Sequence, residues 1–257
     1  HTTIWLRVAA VIILAVMLSL SFVEFNSYKQ NAHTEEVAMR EVVTKRAHQA
    51  ELTFSDGTKV VRNAASRIRF PERFDSDVRE VYLEGEAYFD VAHDAGVAFI
   101  VQTKNARVKV LGTKFNVKAR SESQEAEIAV AQGRVSVRSS MTSATDHNSE
   151  VILTRGQMST VKQGHTPTPP REVNINRYLT WLRGDFVFDQ EPFSKVLLEW
   201  ENRFDVDFAV KDSSLLSVLF TGEFRNESLE EMLKLASRSL RFRYHRKDQT
   251  ITINKGK

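Results

Sequence analysis

Cysteine is absent from all 257 residues. That removes thiolate nucleophiles, Cys-ligated zinc and disulfide staples together. It leaves the compartment open, because exported proteins also do without cysteine. Proline (5) and glycine (10) are scarce, so neither a collagen-like nor a low-complexity disordered chain fits. No block of like charge stands out: 36 Lys and Arg against 33 Asp and Glu give a net charge of +3. This balance gives little reason to expect an acidic partner such as nucleic acid. The motifs of phosphate and dinucleotide sites are missing, and so is a G-x-S-x-G elbow. The seven histidines include no H-E-x-x-H pair and no other ligand spacing. No cofactor or metal site is expected.

One long apolar run is present. Residues 8–23 carry no charge, and Ser19 and Ser21 are the only polar side chains among them. About 20 mostly apolar residues suffice to cross a bilayer. Trp5 on one side and Phe25 and Tyr28 on the other suit interfacial belts, and Arg7 can snorkel. A cleaved signal peptide and a buried core helix compete with the span. The apolar residues run right round the helix, which argues against a surface helix. The initial His1 in place of Met argues against an intact signal peptide. Residues 1–27 are therefore expected to be a membrane anchor, with 28–50 a charged juxtamembrane connector.

Residues 51–163 then read as an all-β domain. The segment 51–61 holds two alternating runs around Asp56-Gly57, a hairpin signal. Residues 81–91 alternate cleanly, with Val81, Leu83, Ala87, Phe89 and Val91 on one face. Further short strands follow at 99–103, 107–110, 114–119, 128–130, 135–137, 151–153 and 158–161. A sandwich, barrel or solenoid fits this spacing. The polar stretch 139–149 reads as a loop. Residues 164–173 carry three of the five prolines and read as a stiff interdomain linker.

The last segment, 174–257, alternates strands and helices. Phe193, Val196, Leu197, Trp200 and Phe204 fall on one helical face behind Pro192. Ser228 and Glu231 have capping-box spacing ahead of a second helix. The order β-α-β-β-α-β-β predicts a small α+β domain able to fold alone. A small sheet leaves strand edges open to a partner. The candidate edges are Leu219–Phe224 and 250–253, which makes Leu219, Thr221, Glu223, Thr250 and Thr252 the candidate partner-binding residues. Phe220 and Phe224 share the other face and are expected in the core.

Two chemical readings were weighed and set aside. Glu84 and Glu86 share a strand face, as paired acids do in glycosidases, but exposed strand acids are ordinarily solvated. The basic strip 238–247 interleaves aromatics with cations, and a strand with its cations outward accounts for it without nucleic acid.

Several runs resemble the FecR family: Asp56-Gly57-Thr58, Asn63-Ala64-Ala65-Ser66, residues 79–91 (REVYLEGEAYFDV), residues 110–117 (VLGTKFNV), Gln132-Gly133-Arg134-Val135 and Gly156-Gln157. Residues 184–189 and 220–224 resemble the domain that often follows, which is similar to the N-terminal fold of secretins and TonB-dependent receptors. The resemblance spans about residues 50 to 254. It implies a mostly β fold: a transmembrane helix, a β-solenoid or sandwich-like domain, then the small α+β domain. It implies a single-span anti-sigma regulator of the inner membrane with its bulk in the periplasm. Its partners would be the signalling domain of a TonB-dependent outer-membrane transporter and, through a cytoplasmic domain outside this chain, an extracytoplasmic-function sigma factor. Family members regulate iron or glycan uptake and are not enzymes. The competing reading is an assembly protein docked on a secretin-like channel.

Overall fold

The fold is taken from a computed structural model. It describes Met17, Ser19, Ser21 and residues 38–74, 77–141 and 150–256. Most of the expected anchor, the first ten residues of the expected connector and most of the loop at 139–149 lie outside the described residues. Among the described residues no helix is long and apolar enough to cross a membrane. Residues Met39–Lys257 form one compact unit and His1–Ala38 another.

Within the larger unit the first thirteen strands make one curled sheet. They are β1 (Met39–Thr44), β2 (Ala50–Thr53), β3 (Lys59–Arg62), β4 (Ser66–Pro71), β5 (Val78–Asp90), β6 (Ala98–Gln102), β7 (Ala106–Val110), β8 (Lys114–Ala119), β9 (Glu125–Gln132), β10 (Arg134–Ser139), β11 (Val151–Thr154), β12 (Gln157–Lys162) and β13 (Arg171–Glu172). The thirteen-residue β5 organises them. Its first half pairs with β4 and β6, its second half with β3 and β8. One half-sheet runs β1-β4-β5-β6-β7-β10-β11, the other β2-β3-β5-β8-β9-β12-β13.

The change of partners occurs at Gly85, where φ is +106° and a Cβ would come within 2.5 Å of the Ser66 hydroxyl. Only glycine tolerates both conditions. The inner residues of the two halves, among them Val60, Ile68, Val81, Phe89, Phe99, Val117, Ile128 and Val137, close a common core. Phe89 stacks on Phe115 with ring centroids 5.1 Å apart. The arrangement is therefore a single sheet curled like a half-barrel around its own core. A solenoid, whose repeats touch only their neighbours, does not have a strand shared by four others.

Three strands escape the sequence reading. β1 lies inside the segment read as connector, so the β-domain starts at Met39 and not at residue 51. β4 offers only Ile68 and Phe70 to the core between arginines. β13 falls inside the expected linker. That segment is laid along β12: Ser159 Oγ donates to Thr168 O at 2.7 Å, and Met158 pairs with Arg171. It is part of the sheet rather than a free spacer.

The C-terminal part follows the expected order: β14 (Phe186–Pro192), a helix (Phe193–Phe204), β15 (Asp207–Val210), β16 (Leu219–Phe224), a helix (Leu229–Leu240), β17 (Phe242–Lys247) and β18 (Thr250–Lys255). A one-turn helix α1 (Ile175–Tyr178) precedes them, so the two longer helices are α2 and α3. The strands split between two sheets, β14-β16 and β15-β18-β17, where a single short sheet was expected. The two are joined by an apolar cluster, with Trp200 fully buried among Phe188, Phe193, Phe208, Phe220 and Phe224. Phe220 and Phe224 are core residues, as expected.

Candidate functional site

The buried polar residues of the runs singled out in the sequence include two clusters. At one end of the β-domain, Arg79 is buried in β5 and donates to Asp56 Oδ2 at 2.8 Å, Ala92 O at 3.0 Å and Val97 O at 2.8 Å. Thr58 donates to the same Asp56 oxygen at 2.7 Å, and its hydroxyl accepts from Ala92 N. This clamp ties the Asp56-Gly57 turn to both ends of the loop after β5. Both terminal nitrogens of Arg79 are satisfied within the clamp, while its buried Nε has no partner among the described residues; the arrangement has a structural role.

The second cluster lies on the outer face of the β5-β8 half-sheet. Glu86 accepts from Asn63 Nδ2 and Asn116 Nδ2, both at 2.9 Å, and Arg120 approaches it at 3.5 Å. Asn116 Oδ1 in turn accepts from the Trp181 indole at 3.2 Å, and Gln49 donates to Trp181 O at 2.8 Å. Above Arg120 sits Glu199 of α2, bonded to Arg120 at 2.9 and 3.2 Å and to Lys118 at 2.8 Å. Two carboxylates and two cations thus balance where the C-terminal domain covers the sheet. A buried network of this kind persists only when every charge finds partners.

The charges respond accordingly. Burial would raise Glu199, but Arg120 and Lys118 outweigh it and hold the carboxyl down to about 2. Burial would likewise lower Lys118, and Glu199 and Glu86 reverse this to raise it. Burial raises Glu86. Yet Asn116 and Asn63 are fixed as donors to its two oxygens, because each Asn oxygen is itself occupied as an acceptor. That geometry suits the carboxylate form.

A cleft of about 410 Å³ opens along this junction, lined in part by Glu86, Lys118, Glu127, Tyr178, Lys195 and Glu199. Glu84, the other half of the considered acid pair, is exposed on the solvent side of β5, so the two carboxylates do not form an acid–base pair. Among the described residues no group of three or more His, Asp or Glu is placed to hold a metal ion.

The five predicted edge residues are not brought together. Leu219, Thr221 and Glu223 lie on the exposed side of β16, which pairs only with β14 among the described residues. Leu219 is 58% exposed. The Thr221 hydroxyl accepts from Gln190 N at 3.0 Å, filling the bulge in β14 between Phe188 and Glu191. Thr250 and Thr252 stand on β18, which is flanked by β15 on one side and β17 on the other. Its backbone is fully paired, so 250–253 is not an edge and strand addition there has no place. The sequence reading went astray because each residue of the parallel partner β15 lies 43 positions upstream of its pair (Asp207 with Thr250), where no local pattern signals it.

Comparison with known proteins places these features. Residues 40–136 match the model of the FecR protein family, and residues 185–253 match that of the FecR C-terminal domain. Two crystal structures of a candidate anti-sigma factor from Parabacteroides distasonis ATCC 8503 align with a TM-score of 0.77 and 30% identity. They cover 86% and 85% of this chain and 100% of their own. The chain belongs to the FecR family of anti-sigma regulators. No curated protein matches it. The FecR match takes in both buried clusters except for their C-terminal partners. Glu199 of the FecR C-terminal match therefore completes a site that the FecR match begins.

Proposed function

We propose that this FecR-family chain is the periplasmic sensor and relay part of a single-span regulator of the inner membrane. It receives a signal from a TonB-dependent outer-membrane transporter and passes it across the membrane to an extracytoplasmic-function sigma factor, without catalysing a reaction. The observation that carries the reading is the succession of FecR and FecR C-terminal matches, residues 40–136 and 185–253, on one compact unit, joined through a charge-balanced junction. The apolar run at 8–23 supports the anchor. Alkaline phosphatase fused after Lys257 is expected to be active; a well-expressed but inactive fusion would reverse the topology.

The transporter's signalling domain is proposed to dock on the free edge of β16, through Leu219, Thr221 and Glu223. β17, one of the two outer strands of the other sheet, carries Arg243, His245, Arg246 and Lys247 exposed, the kind of charged edge that repels strand pairing. β16 instead shows Leu219 to solvent, with Val218 exposed just before it. Leu219→Asp should weaken binding of the isolated signalling domain by about tenfold or more in calorimetry while leaving the melting temperature unchanged. Unaltered affinity would remove this edge from consideration.

A further inference from the structure

Helix α2 has two working faces. Phe193, Val196, Leu197 and Trp200 enter the C-terminal core. Lys195, Glu199 and Asn202, at i, i+4 and i+7, meet the β-domain instead. Lys195 pairs with Glu125 at 3.0 Å, Glu199 with Arg120 and Lys118, and the Asn202 carbonyl accepts from Ala47 N at 2.8 Å. Just beyond the helix, Asp207 pairs with Arg46 at 2.7 Å. With Gln49 bonded to Trp181 O, the turn 45–49 is held from the C-terminal side at three of its residues.

That turn follows β1 directly. β1 is the first strand of the unit and is weakly anchored: among the described residues it pairs with β4 alone, Met39 and Val43 are about half exposed, and Thr44 is its only buried residue. Ala47 sits at φ +60°, a left-handed conformation that alanine adopts at a cost and that must be imposed by its surroundings. The donor that fixes it is bonded to the last turn of α2.

We propose that α2 is a strut: it carries a displacement of the C-terminal domain into the 45–49 turn and so sets how firmly β1 is held in the sheet. The proposal rests on the relay reading only for what supplies the displacement; the coupling is a property of this chain alone. Neither the edge of β16 nor the side of the membrane enters it.

Hydrogen exchange read by mass spectrometry on the full chain tests it. Glu199→Gln keeps the volume of the side chain and removes the charge that holds α2 to Arg120 and Lys118. Protected amides of β1 and the Ala47 amide should then exchange about tenfold faster, with β7 and β10 unchanged. A merely local role for Glu199 would loosen residues 116–120 and α2 and leave β1 as in the wild type, which would overturn the strut. Should Glu199→Gln fail to fold, Asp207→Asn probes the same path from an exposed position, its side chain being 65% accessible. It should speed exchange at Ala47 and β1 by about twofold to threefold. Unchanged exchange there would equally overturn the proposal. An inactive phosphatase fusion, or unaltered binding by Leu219→Asp, would leave both outcomes readable.

Discussion

The β-domain and the C-terminal domain bury apolar surface in different ways. The first spreads its core over Val, Ile, Ala and Phe side chains on a single hydrogen-bonded ladder. The second concentrates it in a cluster of large rings around Trp200, which bridges two sheets that share no ladder. A strand network distributes the loss of any one side chain. An aromatic cluster between two small sheets does not, because the cluster is also what keeps the sheets together. The smaller domain is near the size at which one core barely suffices, and its charged contact with the β-domain adds to what holds it.

Trp200→Ala is therefore expected to have the largest effect. Removing a fully buried indole costs about 3–5 kcal/mol through lost transfer energy and the cavity left behind. In calorimetry the C-terminal transition should fall away from that of the β-domain, leaving the latter nearly in place. If both transitions dropped together, the contrast between the two regions would fail, and residues 174–257 would not be an independently folding unit.

What could be read from the sequence follows the same division. In the β-domain, alternation marked β5 most clearly, and the short apolar runs between turn residues marked β6 through β12, several of which are buried on both faces. β1 and β4 were missed since an edge position or interleaved arginines leave too few apolar residues for the pattern to register. In the C-terminal domain both helices were legible from their apolar faces and the capping box. The partition into two sheets was not, because it depends on a parallel pairing across 43 residues, from Asp207 to Thr250. The junction was invisible for a specific reason. Glu86, Asn116 and Lys118 point outward from their strands and read as solvated, and only a second domain lying on that face buries Glu86 and Asn116. The signal that could have found it was the row Lys195, Glu199 and Asn202 on α2, polar at helical spacing and separate from the apolar face.

A middle-sized effect should come from acid. Glu199 is held at about 2, against an ordinary glutamate value of about 4.3. A depressed carboxylate contributes stability that is complete above the unfolded value and is lost as pH falls toward the folded one. Here the window runs from about 4.3 down to about 2, and the contribution is on the order of 3 kcal/mol. Glu86, raised by burial, acts in the opposite sense: its charged form is the costly one, and protonation relieves that cost. The C-terminal transition should thus hold its midpoint between pH 7 and 5 and decline below about 4. Glu199→Gln should lower the midpoint at pH 7 and flatten the acid decline. An equally steep decline in the variant would mean that other carboxylates control it.

The smallest expected effect also gives the sharpest test of the comparison. Ser228 caps α3: its hydroxyl accepts from Glu231 N at 3.3 Å, and Glu231 Oε2 accepts from Ser228 N at 3.1 Å. Ser228→Ala leaves the Glu231 amide without its partner and costs about 1 kcal/mol. The site is exposed and remote from Arg120 and Glu199, so neither the core nor the junction is touched. The same loss moves the melting temperature by different amounts in units of different size. It is about 4–8 °C for a unit of 60–100 residues and about 2–4 °C for one of 150–250, because the unfolding entropy scales with length. A shift in the upper range would show the C-terminal domain melting by itself. A shift in the lower range would show Met39–Lys257 melting as one cooperative body, with the junction transmitting unfolding as well as displacement.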